Sequence, residues 1–334
     1  MKKTFIAVMA ISLLAVSCSK SSMVETNQNV VSQICFDNLT TKAEVTAASQ
    51  IEAFGVFAEQ NGTSQGDVFV SLLENERVYR DENSDFAYKN TRYWMDGCTF
   101  RFFAYHPYLA YGETASTGIT SVTPAQDAAE FTDIDFTFVT PDNADADFLV
   151  ATNVTEIDSD PSTDYPTVDF LFTHAVSKVK LQVAKHNKNK ENKIVITSIE
   201  FGGIAKSATY NALTKEWSDH DGTLSLSAED FTLDKNDILY HDIFNGMFVP
   251  QNINLSSKTI FIEVAYDFII QDENGEPVIE SYTATSYLPV GKWEPSQSYV
   301  YKLTLSAVDN TITFKSPEVA SWGSPNPSGT IIIQ

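Results

Sequence analysis

A chain of 334 residues with 22 basic against 44 acidic side chains carries a formal net charge of −22. That charge repels phosphate backbones and anionic headgroups, which excludes nucleic acid and an electrostatically held membrane surface as partners. Hydrophobic residues make up 43% of the chain, with 22 Phe and 14 Tyr, enough for a sizeable core, and the length exceeds what one core usually serves, so two domains are expected.

The chain opens with Lys2 and Lys3, an almost wholly apolar run from Phe5 to Val16, and small residues up to Cys18. This is the layout of a secretory signal over residues 1–17. As a helix the run reaches only about 18 Å, short of the roughly 30 Å hydrocarbon core of a bilayer. Leu13-Leu14-Ala15-Val16-Ser17-Cys18 resembles a bacterial lipobox, with Ala15 where that motif usually carries leucine. The match predicts cleavage before Cys18 and a diacylglyceryl group on its sulfur, each buried methylene contributing ~0.8 kcal/mol to membrane anchoring. The other reading is an ordinary signal peptide with an incidental cysteine. Residues 18–29 are polar and aperiodic and read as a tether.

Beyond the tether the chain is a series of short β runs broken by turn residues. TFRFFAY (Thr99 to Tyr105), KVKLQVA (Lys178 to Ala184), KIVITSIEF (Lys193 to Phe201), TIFIEVAYDFII (Thr259 to Ile270) and SYVYKLTLS (Ser298 to Ser306) are rich in β-branched and aromatic residues. In KVKLQV, Val179, Leu181 and Val183 share one face and Lys178, Lys180 and Gln182 the other, the pattern of a half-buried antiparallel strand. Asp272-Glu273-Asn274-Gly275 predicts a hairpin turn. Phe201-Gly202-Gly203 reads as a bulge, and Ser227 to Phe231 as a single helical turn. The whole is expected to be all-β, in antiparallel sandwiches, because parallel architectures need crossover helices. The loop-like Thr155 to Val168 places the domain junction near residue 166, giving domains over 30–165 and 166–334.

Chemistry is sparse. His106, His174, His186, His220 and His241 are scattered without metal-ligand spacing. Asp142, Asp145 and Asp147 cluster, but lack the glycine and distal glutamate of a calcium loop. Neither a GxSxG nor a phosphate-binding or dinucleotide fingerprint is present in the sequence. No catalytic residue, metal or cofactor is expected, and no enzyme. Two cysteines, Cys35 and Cys98, remain in the body and read as buried free thiols, although an export route permits a disulfide.

A chain of features resembles the fimbrillin family of Bacteroidales, the type V pilus subunits with their Mfa-like members. ICFDNLTTKA (Ile34 to Ala43) is similar to the family's opening strand and the triplet after it. FGVFA (Phe54 to Ala58), YWMDGCTFRFFAYHPY (Tyr93 to Tyr108) and ADFLVATN (Ala146 to Asn153) resemble its N-terminal domain. VDFLFTHAVSKVKLQV (Val168 to Val183), FVPQ (Phe248 to Gln251) and GKWEPSQSYVYKLTL (Gly291 to Leu305) resemble its C-terminal domain. The resemblance implies two transthyretin-like β-sandwich domains in tandem on a lipoprotein precursor. It also implies a structural or adhesive role in a surface fimbria at the outer membrane, built with other subunits or copies of itself, with a host or microbial surface ligand.

In family stalk subunits a trypsin-like protease removes the first strand, and a neighbour's extended strand fills the groove. Here that strand is Val30 to Leu39, and Lys42 stands where polymerising relatives carry the cleaved arginine. The terminal apolar run Thr330, Ile331, Ile332, Ile333 is the candidate donor strand, its alternative being the last strand of its own domain. The competing function is a free-standing glycan-binding outer-membrane lipoprotein. An exposed, coplanar pair among Trp94, Trp217, Trp293 and Trp322 would favour that reading, and buried rings the pilus reading.

Overall fold

The computed structural model describes residues 24–26, 29–41, 48–62, 68–123, 134–159, 165–228, 230–253, 260–289 and 291–322. Among these the chain is all-β, with no α-helix. The predicted runs form strands at Cys98–His106, Ser177–Lys185, Lys193–Ile204, Phe261–Gln271 and Gln297–Ser306. In Ser177–Lys185 the alternation is realised: Val179, Leu181 and Val183 are fully buried, while Lys178, Lys180 and Gln182 are half-buried. The hairpin joining Phe261–Gln271 to Pro277–Tyr287 turns where expected, with Gly275 at φ 83° and Asp272 Oδ1 accepting from the backbone N–H groups of Asn274 and Glu276. At Phe201-Gly202-Gly203 the pairing with Leu224–Ala228 slips, and Gly203 sits at φ 77°. The single helical turn expected over 227–231 is not formed. Ser227 lies within the strand Leu224–Ala228 and Phe231 opens the strand Phe231–Leu233, both paired with Lys193–Ile204, because the burial of Leu224 and Leu226 follows a period of two.

A seven-stranded sheet contains, in spatial order, Phe36–Thr41, Val168–His174, Leu149–Glu156, Cys98–His106, Ala53–Gly62, Val70–Arg80 and Phe86–Ala87. It curls until its first and last strands approach each other, so one face wraps around Phe54, Phe100, Phe102, Phe170 and Phe172. The other face presents Phe57, Phe103 and Tyr105 to a four-stranded sheet, whose Ile119, Phe136, Phe138 and Tyr210 complete a second core. Packing between the central strands is close: a Cβ on Gly55 would lie 2.1 Å from the ring of Tyr105, its partner in register, so only glycine fits. A separate sandwich follows, in which two five-stranded sheets enclose Phe201, Phe248, Trp293 and Tyr301.

Four further features differ from the sequence expectation. Val24–Thr26 and Asn29–Val31 pair antiparallel where the sequence reads as a tether. The strand Val168–His174 follows residue 166 yet pairs with Leu149–Glu156 and Phe36–Thr41, since Val168, Phe170 and Phe172 belong to the first core. The chain passes from the first sandwich into the C-terminal one between His174 and Ser177. Next, the four-stranded sheet combines Gly118–Thr123 and Asp135–Val139 with a hairpin from the later half, Ser207–Asn211 and Trp217–Asp221. Finally, the sheets are not wholly antiparallel. Phe36–Thr41 runs parallel to Val168–His174, and Ser177–Lys185 parallel to Gln297–Ser306, the crossovers being made by whole β layers instead of helices.

The passage between the sandwiches is braced. Ala175 N donates to Phe148 O at 2.7 Å, Ser296 N to Val176 O at 3.1 Å and Ser177 Oγ to Glu294 O at 2.7 Å. His174, its side chain 1% exposed, bonds Asp147 Oδ1 through Nδ1 at 2.8 Å, and its ring stacks on Trp322 with centroids 3.5 Å apart and planes 4° from parallel.

Candidate functional site: the opening strand and its groove

Residues 32–41 are zipped into the first sandwich along two lines. On the first, Trp94 N donates to Ser32 O and Ile34 N to Arg92 O, both at 2.9 Å, on either side of an antiparallel bridge between Gln33 and Tyr93. On the second, Phe36–Thr41 lies parallel to Val168–His174, with a bulge between Val168 and Phe170, and Val168 N donates to Cys35 O at 2.8 Å. Side chains add to both lines: Tyr88 OH donates to Ile34 O at 2.8 Å, and Asn38 donates its backbone N–H and Nδ2 to Asp169 Oδ1 at 3.2 and 3.1 Å.

Strand alternation turns Ile34 and Phe36 inward, at 0% and 2% exposure, and the register shift after Phe36 changes the phase, so that Asp37, Asn38 and Thr40 are left in solvent. The Phe36 ring stacks on Phe170 at 5.9 Å and meets Tyr88, Phe54 and Phe102 edge-on at 5.4, 6.2 and 6.2 Å. At about 1.5–3 kcal/mol per large side chain fully buried, Ile34 and Phe36 together contribute on the order of 3–6 kcal/mol. The strand is also the edge of its sheet. Without it, Val168–His174 becomes the edge with backbone groups unpaired, and the aromatic trough opens along the same line.

The positions singled out from the sequence fall around this element. Cys18 lies within residues 1–23, Lys42 within 42–47, and Thr330, Ile331, Ile332 and Ile333 within 323–334, all outside the described residues. The opening strand is described as far as Thr41, one position before Lys42, and the C-terminal end as far as Trp322. Cys35 and Cys98 are not joined in a disulfide, Cys98 being buried and Cys35 half-buried on the strand's outer side. Burial, with the Asp96 carboxylate second, pushes the Cys98 thiol up. Asp142, Asp145 and Asp147 do not converge: they engage Lys206, Asn143 and His174 respectively. Trp94, Trp293 and Trp322 are buried and Trp217 is half-buried, so the four offer no exposed coplanar pair. Sequence reading did not find the groove's lining, Tyr88, Asp169 and Phe170. The alternation of Val168, Phe170 and Phe172 announces a buried face, but not which strand lies beside it.

An all-β chain whose first core is closed by its own N-terminal edge strand has the build of a fimbrial or adhesive surface protein. The chain belongs to the fimbrillin-like family, whose model matches residues 41–322, from the last residue of the opening strand to the last described tryptophan. Among solved structures, it is similar to a fimbrial protein from Bacteroides vulgatus at 17% identity and a TM-score of 0.65, over 87% of this chain and 99% of that one, a likeness of fold. A candidate cell adhesion protein from Bacteroides ovatus aligns at 18% identity and a TM-score of 0.49, over 87% and 96% of the two chains. Another, from Bacteroides uniformis, aligns at 18% and 0.46, over 87% and 98%. No functionally curated protein matches the sequence.

Proposed function

We propose that this protein is a component of a bacterial surface fimbria, exported as a lipoprotein through Cys18 and joined to its neighbours by strand exchange at the outer surface of the cell. Cleavage near Lys42 releases the opening strand, and an extended segment of a neighbouring subunit takes its place, the run Thr330 to Ile333 being the candidate donor. The observation that carries this reading is the placement of Ile34 and Phe36. They fill an aromatic core from an edge strand that ends beside the cleavage candidate, so one cut separates plug from socket. A donated strand of similar alternation restores both the ladder and the core, which makes such joints slow to dissociate. Burial of Trp94, Trp293 and Trp322 supports this reading over the free-standing glycan-binding lipoprotein.

The test is to shear surface material from expressing cells and probe it for this protein on denaturing gels, with and without boiling. A boil-sensitive ladder, collapsing to a monomer that begins after Lys42, is the expected result. A single full-length band confined to the membrane fraction refutes the strand-exchange role.

A further inference from the structure

Far from the opening strand in sequence, a cleft of about 530 Å³ lies where the Trp217–Asp221 strand meets the C-terminal sandwich. Its volume is in the range of small-ligand sites. One wall is Trp217, held in place by Nε1 donating to Ala175 O at 2.9 Å and by edge-on packing against Phe138 and Phe148. His220 is fixed by Nε2 on Pro250 O at 2.6 Å; a carbonyl only accepts, so Nε2 carries the proton. Exposed Asn252 and Glu216 add an amide and a carboxylate, and Lys292 pairs with Glu294 at 3.0 Å. Behind them Gln251 is buried, its Oε1 accepting from Ala205 N and its Nε2 donating to Val249 O, so the floor is preformed.

We infer that this cleft binds an uncharged, hydroxyl-rich ligand, a short neutral glycan. The lining's two lysines balance its two glutamates, and the chain's charge of −22 disfavours acidic sugars. Planar amide, carboxylate and imidazole groups beside an immobilised indole supply the paired donors and acceptors, and the apolar flank, that a sugar ring presents in complement. An extended peptide fits poorly. Asn252 and Ile253 spend backbone groups on Lys292 and Gly291, Pro250 and Pro295 have no N–H, and Asp219 at φ 49° breaks the edge of the Trp217 strand. The site is complete within one copy of the chain, so it stands or falls apart from strand exchange.

The experiment uses the mature full-length monomer with mannohexaose, xylohexaose and lacto-N-tetraose as neutral probes and a chondroitin hexasaccharide as the acidic one. Binding is followed by saturation-transfer NMR and tryptophan fluorescence. Binding of at least one neutral probe is expected, weakened at least about tenfold by Asn252→Ala and by Glu216→Ala, with thermal unfolding unchanged because both side chains are exposed. Binding of the acidic probe alone, of none of the probes, or of a neutral probe undiminished in both variants overturns the assignment.

Discussion

Replacing Phe36 by alanine tests whether the opening strand is the plug of the first core. The side chain is 2% exposed and touches four aromatic rings at centroid distances of 5.4–6.2 Å. Truncating a buried Phe costs about 3–5 kcal/mol. These neighbours come from four different strands and loops of one curled sheet, so the hole cannot close by a single rotamer change, which puts the expectation in the upper half of that range. At about 2–4 °C per kcal/mol for a unit of this size, the melting temperature of the first sandwich falls by roughly 8–20 °C. The assay is thermal and urea unfolding of the uncleaved chain, with Asp37→Ala as the control. Asp37 is one residue away on the solvent side of the same strand and should change stability by less than about 0.5 kcal/mol. If Phe36→Ala costs no more than Asp37→Ala, the strand is not holding the core and the argument for a plug fails.

A chain beginning at Ala43 should expose the trough, binding a hydrophobic dye; a synthetic peptide of residues 30–41 should displace the dye, and its Phe36→Ala version should bind at least about a hundredfold more weakly. Gly55→Ala places a methyl group within 2.1 Å of the Tyr105 ring and should destabilise the first sandwich by about 1–3 kcal/mol in urea titrations. Acid should loosen the His241–Phe248 edge. Hydrogen bonds from Gln182 and Lys180 hold the Asp242 carboxyl below its ordinary 3.8; at Asp237 burial, the largest single cause, acts upward, but the hydrogen bonds from His241 and Leu239 and the nearby charges of His241 and Lys185 together bring it below as well. Folded values below the unfolded one mean stability fully present above the ordinary value and lost as pH falls through the folded one. Unfolding midpoints should therefore be flat above about pH 5 and decline below about pH 4; Asp242→Asn should shrink that decline, and an unchanged profile in the variant would count against it.

Strand identity was legible wherever one face is buried. The alternation of Val179, Leu181 and Val183 with Lys178, Lys180 and Gln182 fixed both the strand and its inward face. Strand partners were not legible, because a ladder is made by backbone groups that every residue carries. Nothing in Ser207–Asn211 announces that it crosses to pair with Asp135–Val139, or in Phe36–Thr41 that its neighbour lies at Val168. Residue 166 looked like a junction because the loop before it is polar, yet Val168, Phe170 and Phe172 answer to the first core. The opening strand was placed at Val30 to Leu39 by the family resemblance, whereas the filling of the core by Ile34 and Phe36 is known from the structure. The cleft was not legible, since Trp217, Asn252 and Glu294 are brought together only by the fold.

The stack of His174 on Trp322 has a mechanical meaning. Trp322 is the last described residue before the C-terminal run, and His174 ends the strand that lies beside the opening strand. A pull on the chain beyond Trp322 therefore enters the molecule at its waist, and the shortest line of transmission to the opening-strand position runs along Val168–His174. Two parallel strands drawn along their length are loaded in shear, so their hydrogen bonds share the force at once in place of parting one after another. The strand Glu318–Ser321 that leads into Trp322 pairs with Gln297–Ser306, so the C-terminal sandwich shares that load through its own ladder.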